Sequence, residues 1–139
     1  MRRTLYYSSV ILLSLFLFAH ACVDHQLPGT PPQIETLNFS SGAGKCSVTF
    51  NLDVKDVGTI PVKEYGMVYT TTPTGNPRVG NAVVEKDYKQ SFPMPLLPGK
   101  KSKLNSVSNT CGPFVYYRTY AILEDDSVIY GQEIGFEDI

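Results

Sequence analysis

Beyond Cys22 no 15-residue stretch holds the apolar period of a helix; short runs alternate apolar and polar side chains instead, separated by turn residues. Residues 46–54 carry the pattern most clearly. Cys46, Val48, Phe50, Leu52 and Val54 share one parity and face inward, while Ser47, Thr49, Asn51 and Asp53 point to water. Eleven Gly and ten Pro are too frequent for long helices and natural for tight turns, so the class expected is all-β. The spacing of the runs gives about seven strands: 34–39, 46–54, 65–69, 92–97, 102–107, 114–123 and 128–136. In the first, Ile34, Thr36 and Asn38 share one side and Leu37 and Phe39 the other. Pro93 and Pro95 confine 92–97 to an edge or a loop, because proline cannot donate to a ladder.

Residues 1–21 are addressing information and lie outside the fold. Arg2 and Arg3 precede the apolar run VILLSLFLF at 10–18, and Ala19-His20-Ala21 supplies small residues at alternate positions, as in a signal peptide. Even 5–21 is too short and too polar for a spanning helix of about 20 apolar residues. The run Leu17-Phe18-Ala19-His20-Ala21-Cys22 resembles the lipobox of bacterial lipoproteins, in which cleavage precedes the cysteine and its sulfur receives diacylglycerol. The resemblance makes Cys22 the lipidated first residue of the mature chain, the membrane its partner through that anchor, and the bacterial outer membrane its location. A lone Asp24 beside the anchor leaves cell surface and periplasmic leaflet both open. Residues 22–32 (CVDHQLPGTPP) hold three Pro and one Gly and read as an extended tether, with the folded domain at 33–139.

Without residues 1–21 the chain keeps ten basic residues against 13 acids, about −3, which gives no electrostatic footprint for nucleic acid. Lys100, Lys101 and Lys103 form the one basic cluster and read as a solubilising edge. His20 and His25 both precede the domain, so 33–139 offers no histidine to a triad, a general base or a zinc site. No cofactor is implied. Two acidic turns, Asp53 with Asp56 and Glu124 to Asp126, lack the spacing of a calcium loop and read as solvated.

Tyr65-Gly66-Met67-Val68-Tyr69 before Thr72-Pro73-Thr74, then Tyr116-Tyr117-Arg118-Thr119-Tyr120-Ala121, then Tyr130-Gly131-Gln132-Glu133-Ile134-Gly135-Phe136 come in an order that resembles the fibronectin type III-like domains of Bacteroidetes surface lipoproteins. The resemblance spans 33–139 and implies an immunoglobulin-like, fibronectin type III-like antiparallel β-sandwich. The sequence departs from that pattern at 106–113 (SVSNTCGP), and Val115 occupies the place of a corner tyrosine. With Cys22 lipidated, Cys46 and Cys111 remain as an even pair 65 residues apart, suited to a bridge between the second strand and the start of the sixth, as in immunoglobulin domains, with two buried free thiols as the alternative.

On 114–123, Val115, Tyr117, Thr119 and Ala121 share the side expected to be buried, leaving Tyr116, Arg118 and Tyr120 outward. Tyr and Arg are enriched at binding hot spots, so these three are the candidate contact residues for a protein or glycan; cross-strand packing with Tyr130 or Tyr69 is the plainer use of the same side chains. Asp126-Ser127-Val128 matches the short pattern that resembles the O-glycosylation site of exported Bacteroidetes proteins, placing a candidate glycan on Ser127 at a turn tip. Three function classes remain: a noncatalytic lipid-anchored binding or assembly module, a structural spacer or accessory subunit of an outer-membrane glycan-uptake or adhesin complex, and a small enzyme, which the missing histidine disfavours.

Overall fold

The computed structural model describes residues 28–43, 46–72, 81–105 and 114–137. Residues 1–27, where a leader, a lipidated Cys22 and most of a tether are expected, lie outside these residues, as do Cys111 and the Thr-Pro segment after Thr72. Among the described residues eight strands run in the order β1 (Gln33–Ser41), β2 (Val48–Asp56), β3 (Val62–Thr72), β4 (Tyr88–Ser91), β5 (Gly99–Asn105), β6 (Phe114–Leu123), β7 (Val128–Tyr130) and β8 (Ile134–Glu137). They form two antiparallel sheets, β1-β2-β5 and β4-β3-β6-β7, with β8 extending the second sheet beside β6. Among the described residues there is no helix, and the architecture is an all-β sandwich.

The inward residues of β2 and β6 fall where period two puts them. Val48, Phe50, Leu52 and Val54 meet Tyr65, Met67, Tyr69, Tyr117 and Ala121 from the opposite sheet in one apolar core. Phe50 lies between the rings of Tyr69 and Tyr117, at 5.1 and 5.2 Å between centroids. Tyr117 also reaches across the layers. Its hydroxyl donates to the Leu37 carbonyl at 3.1 Å and accepts from the Phe39 amide at 2.9 Å, so a tyrosine two residues after Val115 ties β6 to β1.

Several expectations are corrected. The extended run begins at Val48 rather than Cys46, because the Gly42 amide bonds the Ser47 carbonyl and closes the turn there, leaving Cys46 at φ +60°. In β1 a bulge between Leu37 and Ser40 inserts one residue against β2. Thr36 and Phe39 therefore both turn toward the core, which strict alternation forbids. Asp53 is 8% exposed rather than solvated, covered by Lys55, which pairs with it at 2.7 Å and with Glu35 at 2.9 Å. The bonds to Asp53 first, then Glu35, push the Lys55 pKa up.

Lys101 and Lys103 lie opposite Leu52 and Phe50 and so share the inward face of β5. Lys103 carries its ammonium out to the Ser91 carbonyl. Inward-pointing charge on an edge strand deters pairing with other chains, so this cluster protects an edge. Of 92–97, only the loop reading stands, because the short edge strand is β4 and ends at Ser91. The single strand expected at 128–136 is two: the Thr119 amide goes to Thr36 Oγ1 at 3.0 Å, and the ladder along β6 breaks at that residue.

Candidate functional site

Pairing places Tyr116, Arg118, Tyr120 and Ile122 of β6 on the outer face of their sheet, with Glu64, Gly66, Val68 and Thr70 of β3 beside them. The parity is as expected, but the face is not open, and Tyr120 is 1% exposed. Residues 81–87 cross it and close a second small core in which Ala82, Val68 and Tyr120 pack with Val84, Ile122, Val128 and Tyr130. Arg118 Nε donates to the Ala82 carbonyl at 2.6 Å, Glu133 Oε2 accepts from the Ala82 amide at 2.8 Å, and the Tyr130 hydroxyl accepts from the Val84 amide at 3.2 Å. The Arg118 guanidinium also stacks 3.7 Å from the Tyr130 ring centre, where planar delocalised charge meets the negative ring face. Arg118 and Tyr120 therefore hold a crossing segment in place and do not form a free contact platform. Tyr116 lies over Gly135, where an added Cβ would stand 2.8 Å from its ring.

Beside this cover lies a polar cluster. Glu64 Oε1 accepts from Ser91 Oγ at 2.6 Å, from the Tyr120 hydroxyl at short range, and from Lys89 Nζ at 3.4 Å. The bonds from Ser91 first and Tyr120 next hold the Glu64 carboxyl below its ordinary range. Burial first, and the neighbouring carboxylate next, raise the Tyr120 phenol. With the carboxyl lowered and the phenol raised, the cluster is an ionised acceptor surrounded by donors at neutral pH.

Where the two sheets approach edge to edge, Thr36 and Thr119 form a buried seam. Their hydroxyls lie 3.2 Å apart, and Thr119 Oγ1 reaches the Ile34 carbonyl at 3.3 Å. Gly131 completes it, because a Cβ there would stand 2.1 Å from Thr119 Oγ1. Next to the seam, a mainly apolar groove of about 570 Å³ runs between β1 and β7. Ile34, Ala121 and Ile129 line it, with Glu35, Lys55 and Gln132 among its polar residues. Both bounding strands are sheet edges. The groove is the site sequence reasoning missed, since its walls come from residues nearly 90 positions apart, and the sole local sign is the doubled glycine of Tyr130-Gly131-Gln132-Glu133-Ile134-Gly135.

The remaining candidates sit apart from it. Ser127 is exposed in the β6–β7 turn, its hydroxyl donating to Asp125 Oδ1 at 2.5 Å. Asp125 is held below the ordinary carboxylate range by that bond and by the Ser127 amide. Asp126 pairs with Lys63 at 2.8 Å, and Asp56 accepts from the Gly58 amide at 2.8 Å. Among the described residues no three His, Cys, Asp or Glu side chains gather as metal ligands. Cys46 is described and Cys111 is not, so their pairing lies outside the described residues, as do Cys22, His20 and His25. No protein-family model and no curated protein matches this chain.

Proposed function

We propose that this chain is a noncatalytic, lipid-anchored envelope protein whose fibronectin type III-like sandwich serves as a binding or assembly module for a protein or glycan partner. The strand order supports that sandwich type. In immunoglobulin-like domains the first, second and fifth strands share one sheet and the third, sixth and seventh the other, as β1-β2-β5 and β3-β6-β7 do here, with the fourth strand moved beside β3. The observation that carries the binding reading is the groove between β1 and β7, where apolar walls run alongside two sheet edges. An extended segment entering it gains main-chain hydrogen bonds from an edge and apolar contact from Ile34 and Ile129, which is the recognition mode of β-strand addition.

A photo-crosslinking residue in place of Gln132 tests this in intact envelopes. Discrete adducts that disappear when Ile129→Glu is added support the groove; adducts unaffected by Ile129→Glu, or none at all, refute it. One feature also favours the spacer reading. β1 enters at the end where Gln33 pairs Asp56, and β8 leaves at the opposite end, where Glu137 pairs Phe114, so the entry and exit of the chain stand a full sandwich length apart.

A further inference from the structure

The end of the sandwich at which β1 begins is built from three loops. Residues 28–32 dock on the β2–β3 loop, where the Thr59 amide donates to the Thr30 carbonyl at 2.8 Å and the Thr30 amide donates to Thr59 Oγ1 at 2.8 Å. Residues 92–98 lie against the other side of that loop, sharing a hollow of about 270 Å³ lined by Val57, Ile60, Val62, Met94 and Leu96. The β6–β7 turn joins them through the Glu124 amide, which donates to the Pro61 carbonyl. The 92–98 loop carries two large apolar side chains into solvent, Met94 at 48% and Leu97 at 55% exposure, between Pro93, Pro95 and Pro98.

We infer that this loop seats Met94 and Leu97 in the interfacial layer of a zwitterionic phospholipid membrane, so that the domain stands on the bilayer by its 92–98 end. The inference rests on the lipoprotein reading of Cys22 and goes beyond it, because an acyl anchor alone leaves the domain free to tumble. Chain length supplies the geometric support. From Cys22 to Pro28 is six residues, at most about 20 Å when fully extended, and Pro28 leads directly into the segment docked beside the loop. The anchor therefore confines this end, rather than the opposite one, to the neighbourhood of the headgroups. Charge selects the lipid. At this end Glu35, Asp53, Asp56 and Glu124 to Asp126 outnumber Lys55, Lys63, Lys100 and Lys101, six acids to four bases, so the residual negative charge disfavours an anionic surface relative to a zwitterionic one.

The chain contains no tryptophan, so one introduced indole reports its own position. Leu97→Trp and Leu104→Trp replace leucines of matched exposure, 55% and 54%, at opposite ends, since Leu104 pairs Thr49 near the far end of β2. Any preference of indole for interfaces is common to both. Each full-length lipidated variant is reconstituted into phosphatidylcholine vesicles carrying brominated acyl chains, and flotation, circular dichroism and emission are recorded. The expected result is co-flotation of both folded variants, with blue-shifted and mostly quenched emission for Leu97→Trp, unchanged emission for Leu104→Trp, and weaker quenching when phosphatidylglycerol replaces part of the phosphatidylcholine. Co-flotation with both tryptophans unquenched, or equally quenched, overturns the seating and leaves the anchor intact. Failure to float together with an absence of acyl mass overturns the lipoprotein reading, and the inference falls with it.

Discussion

Tyr117→Phe removes one oxygen from the centre of the sandwich and leaves the ring against Phe50 and Phe136, at 5.2 and 5.8 Å. Its cost therefore isolates the hydroxyl. The β1 bulge takes Asn38 and Phe39 out of register with β2, and their polar groups must find partners elsewhere. Asn51 Nδ2 donates to the Asn38 carbonyl at 2.7 Å, and the Tyr117 hydroxyl serves both the Phe39 amide and the Leu37 carbonyl. Substitution orphans those two backbone groups. A fully buried orphan costs about 1–3 kcal/mol, and half-burial here lets water recover part of it, so the expected loss is about 2–3 kcal/mol in total. Tyr65→Phe is the matched control, because its hydroxyl makes a single bond of 2.9 Å to the Pro93 carbonyl in an exposed loop. Its loss is about 0.5–1 kcal/mol, since water replaces the donor. Urea unfolding followed by circular dichroism, with unchanged m-values as the two-state check, measures both. Equal losses for the two variants would refute the assignment of Tyr117 as the anchor of the bulge.

Gly131→Ala drives a methyl into Thr119 Oγ1 and is expected to cost about 1–3 kcal/mol, while the double variant with Thr119→Ala is non-additive; a sum of independent costs in denaturant melts removes the seam from the account. Glu64 has a depressed folded pKa, so its contribution is present above the unfolded carboxylate value of about 4.3 and is lost as pH falls through the lower folded value; Glu64→Gln is expected to flatten the acid limb of the stability–pH curve, and an unchanged limb refutes this. Tyr120 has a raised folded pKa, so its contribution is complete below about 10 and is lost as pH rises through the folded value; Tyr120→Phe is expected to remove that alkaline loss, and persistence of the loss in the variant counts against it. A nonreducing peptide map is expected to join the Cys46 and Cys111 peptides, with Cys22→Ser releasing the domain into the soluble fraction; two alkylatable thiols in oxidised envelopes refute the bridge. Protein from a Bacteroidetes host is expected to run heavier than its Ser127→Ala variant, and identical masses dismiss the glycan.

Period-two alternation by itself determined the inward faces of β2 and β6, because a side chain's orientation relative to its own strand depends only on its position along the pleat. The spacing of Gly and Pro likewise sufficed for an all-β class. The cover over each face was decided only when distant segments met. Arg118 and Tyr120 point away from the main core as their parity requires, yet they are covered because 81–87 is drawn across them by Glu133 and Tyr130 from the far end of the chain. Phe39 changes sides because a bulge adds one residue to β1, and that bulge is satisfied by Tyr117, 78 positions away. Gly131 and Gly135 are demanded by distant neighbours, because the seam at Thr119 and the ring of Tyr116 leave no room for a Cβ at either. Local pattern fixes direction along a strand; closure of one sheet on the other fixes neighbours, and the groove between β1 and β7 exists only as a product of that closure.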